Sequence, residues 1–133
     1  MTEIKYVDFC AGIGGFRYAI DAYQNSRTDI KFKCVLTADI KKHAIDTYNL
    51  NFNENNPLRD IYELKPETME TFDLLCAGFP CQPFSSAGQK KGFEDHRGGM
   101  IFKILDICKF HKPQYVLLEN VHNLISLDDG KYI

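Results

Sequence analysis

The sequence predicts an α/β fold with a mostly parallel sheet and helices on both of its faces. Short apolar runs alternate with segments whose apolar residues recur at helical spacing. The short runs are continuously apolar, which favours strands that are buried on both faces. Because crossovers between parallel strands are right-handed, the strands should point the same way and share one ligand crevice beyond their carboxyl ends.

The first half of the chain contains three predicted strands and two predicted helices. The strands are expected over residues 4–9, 32–37 and, more briefly, 58–61. The first helix is indicated by apolar side chains at helical spacing, namely Phe16, Ala19, Ile20 and Tyr23. The second helix is indicated in the same way by Ala44, Ile45, Tyr48 and Phe52.

The second half contains two further strands, predicted over residues 72–77 and 115–118. Between them lie a long glycine-rich loop, residues 78–99, and a third helix that ends before Pro113. The apolar residues of that helix are Met100, Ile101, Ile104, Leu105 and Cys108.

Length and composition exclude several classes of protein. The 133 residues suffice for one domain, and no apolar run approaches the length of a membrane span. The N-terminus lacks the features of a signal peptide, so we expect a cytoplasmic protein, associated with the nucleoid if it is bacterial. Five cysteines without a CxxC pair indicate neither a disulfide framework nor a metal site, and four of them are expected to be core thiols. A net charge of −2 indicates no globally basic surface.

Two candidate ligand-binding features follow the first two strands. The turn Ala11-Gly12-Ile13-Gly14-Gly15 allows a ligand to approach the backbone at a helix N-terminus, although it departs from GxGxxG at Arg17 and could merely connect two elements. Asp39 could accept the hydroxyls of a ribose, or could instead cap the helix that begins near Lys41.

Two further carboxylates follow later strands. Asp60, with its apolar neighbour Ile61, could hold an adenine, but a solvated loop aspartate is the simpler interpretation of this residue taken singly. Glu119 follows an apolar strand, where an acid needs a partner, and it could also cap a neighbouring helix.

Cys81 is the most specific candidate in the chain. Pro80 and Pro83 fix the backbone on either side of it, so the thiol is expected to be aimed rather than packed. Polar side chains follow it that could hold a base or a phosphate, namely Gln82, Ser85 and Ser86. The rest of the loop has the glycines of a closing lid and a cluster of positive charge at Lys90, Lys91, His96 and Arg97, which could equally be a solvated surface.

Three of these stretches, in this order, resemble motifs of the DNA cytosine-5 methyltransferase family. Residues 8–17 resemble its first motif, residues 79–85 its nucleophile motif and residues 119–121 its acid motif. The resemblance implies a Rossmann-like class I methyltransferase fold that uses S-adenosylmethionine and no metal. Because relatives continue past the acid motif, it also implies that residues 1–133 are the N-terminal part of the catalytic domain, incomplete at the C-terminal side and without a target-recognition domain.

The resemblance also assigns roles by position. The methionine side of the cofactor would contact Phe9, Phe16 and the turn of Ala11, Gly12, Ile13, Gly14 and Gly15. Asp39 would bind the ribose, and Asp60 with Ile61 the adenine, while Ile40 stands where many relatives have an aromatic residue. Pro80 and Met100 would complete the pocket wall.

The catalytic residues implied are Cys81, which adds to C6 of cytosine, and Glu119, which donates a proton toward N3. The implied substrate is double-stranded DNA with the cytosine flipped out of the stack. It would contact Gln82, Ser85, Ser86, Lys90, Lys91, Arg97 and Asn120.

Several alternatives remain open at this point. The chain could be part of a longer enzyme, one subunit of a split enzyme whose partner is a second polypeptide, or an inert remnant that still binds cofactor. Relatives that methylate tRNA share the same core, so tRNA is an alternative substrate.

Overall fold

The structure, a computed structural model, describes residues 1–79 and 99–120, and in them the predicted α/β fold is confirmed. In chain order the elements are β1 (Thr2–Phe9), α1 (Gly15–Asn25), β2 (Ile30–Ala38), α2 (Lys42–Phe52), β3 (Leu74–Gly78), α3 (Met100–His111) and β4 (Tyr115–Glu119). Two short 3-10 turns, Ile61–Glu63 and Pro66–Thr68, lie between α2 and β3. The four described strands pair in parallel in the order β2-β1-β3-β4.

The strand predicted over residues 58–61 is wrong. In this stretch Arg59 hydrogen-bonds to the end of β2: its backbone N–H donates to the carbonyl of Asp39 at 3.1 Å, and its guanidinium donates to the carbonyl of Thr37 at 3.1 Å. The chain then turns, because Oδ1 of Asp60 accepts a hydrogen bond from the backbone N–H of Tyr62 at 2.9 Å and begins a 3-10 helix. A side-chain cap of this kind competes with strand pairing.

One face of the sheet packs against α3 and forms the main hydrophobic core. The strands contribute the alternate residues Val7 and Phe9 of β1 and Leu75 and Ala77 of β3. Helix α3 contributes the buried stripe Met100, Ile104 and Ile107. The spacing of this stripe is that of one helical face, which is why the third helix could be predicted from the sequence.

The opposite face of the sheet meets α1 and α2. The hydroxyl of Tyr48 on α2 lies 3.1 Å from Oγ1 of Thr37 on β2, and both residues are buried. Arg17 on α1 donates to the same tyrosine hydroxyl at 3.4 Å. Helices therefore cover both faces of the sheet, as predicted. None of the described helices is long and apolar enough to cross a lipid bilayer.

Strand β4 lies at one edge of the described sheet and is poorly covered. All five of its residues are exposed, including Tyr115 at 56% and Leu117 at 51%. Among the described residues it pairs with β3 alone. An apolar strand with an open edge favours pairing with another strand.

Asp8 is a buried acid at the centre of the face that meets α1 and α2. Its side chain is fully buried, and neither carboxylate oxygen has a hydrogen-bond partner in the part of the chain that the structure describes. Burial raises the pKa of Asp8 to about 7, although the positive charge of Arg17 opposes the rise. The folded chain therefore holds a proton on Asp8 that the unfolded chain releases near pH 4.

We expect Asp8→Asn to remove a pH-dependent loss of stability. The rise in pKa from 3.8 to about 7 corresponds to about 4 kcal/mol, at most, lost as the pH rises from 4 to 7. The variant should therefore match the unaltered chain near pH 4 and exceed it by a few kcal/mol above pH 7. Urea unfolding at several pH values measures this difference. As a control, Glu3→Gln, at an exposed site on the same strand, should leave the dependence of stability on pH unchanged. If stability depends on pH in the same way in Asp8→Asn and in the unaltered chain, the prediction is contradicted.

Candidate cofactor and catalytic crevice

The glycine turn after β1 has the backbone geometry that its sequence predicts. Cys10, Gly12 and Gly14 have positive φ angles of 54°, 56° and 99°. The N–H of Gly14 donates to the carbonyl of Ala11 at 2.9 Å, and α1 begins at the next residue. Among residues 1–79 and 99–120, a Cβ atom built at Gly12 or Gly15 would meet nothing within 4 Å. The turn is therefore open on that side, which suits the close approach of a ligand to a helix N-terminus.

Asp39 connects this turn to the end of β2. Its Oδ2 accepts a hydrogen bond from the N–H of Gly12 at 2.8 Å, and its Oδ1 accepts one from the N–H of Lys41 at 2.8 Å. The alternative in which Asp39 caps α2 is wrong, because the N-cap is Lys41 and has no side-chain hydrogen bond. Since a carboxylate oxygen accepts more than one hydrogen bond, Asp39 can still receive hydroxyl donors.

The thiol of Cys10 lies where several predicted cofactor residues meet. Its Sγ donates to Sδ of Met100 at 3.2 Å. Burial, together with the negative charges of Asp39, Asp8 and Asp60, raises the pKa of Cys10 to about 12. The structure thus brings Asp39 and Asp60 near enough to act on the pKa of this thiol and Met100 into contact with it, although the three are far apart in sequence.

The other predicted cofactor residues differ in their exposure. Phe9, Ala11 and Ile61 are buried. In contrast, Ile13 and Ile40 are 62% and 63% exposed, so both present apolar surface beside the crevice.

The carboxyl ends of β3 and β4 are adjacent. Gly78 pairs in register with Glu119, and the side-chain amide of Asn120 donates to the carbonyl of Phe79 at 3.1 Å. A Cβ at Gly78 would lie 3.1 Å from Oε2 of Glu119 and 3.7 Å from the ring of Phe16. The absence of a side chain at Gly78 therefore leaves room for the Glu119 carboxyl beside α1. Glu119 itself is exposed.

Eight of the predicted site residues lie outside the described residues: Pro80, Cys81, Gln82, Ser85, Ser86, Lys90, Lys91 and Arg97. Cys81 comes three residues after Gly78, the last residue of β3. Of the other four cysteines, Cys76 is buried and Cys10, Cys34 and Cys108 are half-buried, and burial raises the pKa of each thiol. Within residues 1–79 and 99–120, no three metal-ligating side chains cluster.

Two residues of this region were not predicted from the sequence. Cys10 was predicted only as a core thiol, yet its positive φ and its bond to Met100 place it in the crevice wall. Arg59 was not singled out, although its two bonds to the end of β2 hold the segment that carries Asp60. Neither role has a local sequence signal, because both depend on partners 20 or more residues away.

Comparison with known proteins agrees with this geometry. The Type II methyltransferase M.BanI of Aneurinibacillus aneurinilyticus is 43% identical over 97% of this chain and 29% of its own length. The Type II methyltransferase M.HhaI of Haemophilus parahaemolyticus is 41% identical over 98% of this chain and 37% of its own length. The solved structure of the S. pombe Dnmt2 methyltransferase superposes with a TM-score of 0.73 at 26% identity, covering 97% of this chain and 38% of that one.

The chain thus spans about a third of the length of the relatives it matches. The family model for C-5 cytosine-specific DNA methylases matches residues 4–133. The chain therefore belongs to the family of C-5 cytosine-specific DNA methylases, whose methyltransferase fold implies the use of S-adenosylmethionine.

Proposed function

We propose that this chain provides the cofactor-binding and nucleophile-bearing part of an enzyme that methylates C5 of cytosine in DNA. The proposal rests on one observation: β1, β3 and β4 end at the same edge of the sheet. That edge brings the Gly12–Gly15 turn, the segment leading to Cys81 and the carboxyl of Glu119 together. The relatives are type II methyltransferases by name, which supports a role in a restriction–modification system.

The residues of the crevice fit S-adenosylmethionine. The open side of the turn at Gly12 and Gly15 suits the methionine part of the cofactor, and the Asp39 carboxylate beside it suits the ribose hydroxyls. The exposed side chain of Ile40 and the carboxylate of Asp60 suit the adenine. The cofactor supplies an electrophilic methyl group, whereas the residues of this chain bind and orient it.

Cys81 and Glu119 have complementary tasks toward the base. C5 of cytosine is a poor nucleophile, and addition of the Cys81 thiolate to C6 converts the ring to an enamine that is nucleophilic at C5. Negative charge develops on the ring during this addition. A proton that Glu119 donates toward N3 stabilises that charge. Once C5 has gained the methyl group, its proton passes to water or another base, and elimination of the Cys81 sulfur from C6 restores the ring.

The DNA substrate must present its cytosine outside the helix, since a stacked base cannot reach the thiol. We assign Gln82, Ser85, Ser86 and Asn120 to the flipped nucleotide, and Lys90, Lys91 and Arg97 to phosphates. The bond from the Asn120 amide to the Phe79 carbonyl supports this assignment, because it holds the acid segment against the start of the Cys81 loop.

We propose that a further polypeptide segment completes the enzyme. The relatives are about three times as long as this chain, and the open apolar edge of β4 is a suitable place for another strand to pair. We propose that this segment, in the same chain or in a second subunit, also carries the recognition domain. Action on DNA would take place in the cytoplasm, at the nucleoid if the protein is bacterial.

Transfer of labelled methyl groups tests the function directly. The chain, combined with the segment that completes it, should transfer methyl from S-adenosylmethionine to duplex DNA and not to tRNA. Preferential labelling of tRNA would show that tRNA, and not DNA, is the substrate. Cofactor binding without transfer to either nucleic acid would indicate an inert remnant.

For the acid, we expect Glu119→Gln to lower methyl transfer by about 10²–10⁴-fold, because general acid assistance is typically of that size. Cofactor affinity should stay within about twofold, since Glu119 acts on the base. Steady-state rates and calorimetric titration measure the two quantities. Glu67→Gln, remote from the crevice, serves as the control. Equal losses of rate and cofactor affinity in Glu119→Gln would contradict a role in proton donation.

A further inference from the structure

The ring of Phe52, the last residue of α2, lies directly against Gly14. A Cβ atom at Gly14 would be 2.3 Å from Cε2 and 2.8 Å from Cζ of this ring, far inside van der Waals contact. The ring therefore occupies the space on one side of the Gly14 backbone. The sequence predicted Phe52 only as part of the apolar stripe of the second helix.

Two side chains hold the Phe52 ring in place. The ring of Tyr48 packs against it with centroids 4.8 Å apart, and the guanidinium of Arg17 lies 4.8 Å from its centroid on another side. Arg17 is held in turn, because its Nη1 lies 2.7 Å from Oε1 of Glu54 and donates to the hydroxyl of Tyr48. Cation–π contacts of this kind favour one orientation of the ring.

The turn that ends α2 delivers Glu54 to Arg17. Asn53 has a φ of 51° and caps the helix, and the N–H of Glu54 donates to the carbonyl of Asn49 at 3.0 Å. Only 15% of the Arg17 side chain is exposed. Burial would lower the pKa of Arg17, but the bonds to Tyr48 and Glu54 raise it, so this guanidinium remains charged and paired.

We propose that Phe52 is a positioning residue for the cofactor, which acts through Gly14 on the conformation of the glycine turn. The ring and the Arg17–Glu54 pair behind it hold Gly14 at a φ of 99°. That conformation leaves Gly12 and Gly15 open to a ligand and directs the N–H of Gly12 to Asp39. The inference rests on the proposed use of S-adenosylmethionine, and it adds a residue of α2 that does not itself touch the cofactor.

The test compares three variants of the full chain. Phe52→Leu keeps an apolar side chain but loses the ring, Phe52→Tyr keeps the ring, and Phe72→Leu removes a buried ring that packs against α3 on the other face of the sheet. For each we would measure the dissociation constant of S-adenosylmethionine by calorimetry. Amide hydrogen exchange of residues 12–16 without cofactor and the thermal midpoint would be measured in parallel.

We expect Phe52→Leu to weaken cofactor binding about tenfold and to speed exchange at Gly14 and Gly15. Phe52→Tyr should keep the cofactor affinity and the exchange rates of the unaltered chain. Phe72→Leu should lower the thermal midpoint without changing the affinity or the exchange rates. Unchanged affinity and exchange in Phe52→Leu would overturn the positioning role, as would equal changes in Phe72→Leu. If the unaltered chain, combined with the segment that completes it, binds no cofactor, the proposed use of S-adenosylmethionine fails, and the exchange measurement alone decides the role of Phe52.

Discussion

Replacing Cys81 with serine is expected to abolish the covalent complex with DNA. A duplex that contains 5-fluorocytosine retains the Cys81–C6 bond, because fluorine at C5 cannot leave as the proton does. The completed enzyme should therefore form an adduct that withstands denaturation, and Cys81→Ser should form none. Methyl transfer should fall by at least about 10³-fold, since a serine hydroxyl is not ionised at neutral pH and no general base has been identified for it.

The control for this experiment is another cysteine of the same chain. Cys108 lies on α3, half-buried, and burial raises the pKa of its thiol, so it should be unreactive. Cys108→Ser should therefore leave the adduct intact. An adduct with Cys81→Ser would show that Cys81 is not the nucleophile. Loss of the adduct in Cys108→Ser at unchanged stability would contradict the assignment in the same way.

Gly14→Ala is expected to destabilise the chain by about 2–5 kcal/mol. A residue with a side chain pays about 1–2 kcal/mol for a left-handed conformation, and forcing a methyl group into a packed site typically costs a further 1–3 kcal/mol. The ring of Phe52 is 2.3 Å from the new methyl position and is held by Tyr48 and Arg17, so it cannot move freely. Urea unfolding measures the change.

The neighbouring glycines provide matched controls. Gly12→Ala meets no atoms within 4 Å but retains a φ of 56°, so it should cost only about 1–2 kcal/mol. Gly15→Ala meets no atoms either and lies within α1, where alanine is favoured, so stability should be unchanged or slightly raised. Equal losses at Gly12 and Gly14 would show that contact with Phe52 contributes nothing.

Much of the fold could be predicted because local patterns specify it. The apolar runs that became β1 and β3, and the helical stripe of α3, are visible within windows of five to ten residues. The strand prediction over residues 58–61 was wrong because Ile61 is buried in the hydrophobic core without pairing as a strand, and Asp60 caps a 3-10 turn. An apolar residue in the sequence does not indicate whether it will be buried within a paired strand or by a turn that packs against the core.

The sequence indicated which residues belong to the candidate site, but not which contacts they make. The sequence indicated Asp39 as a ligand-binding acid, yet its bonds to Gly12 and Lys41 became visible only in the structure. The stack of Arg17 on Phe52 joins residues 35 positions apart and depends on the turn at Asn53. Contacts of this kind follow from tertiary packing, which no local pattern encodes.

The exposure of strand β4 within the described residues has a consequence for how the proposed activity would be controlled. It ends in Glu119, so the segment that covers it would also displace water from the proposed proton donor. On the proposed function, docking of that segment would thus complete the sheet and enclose the proposed acid in a single event.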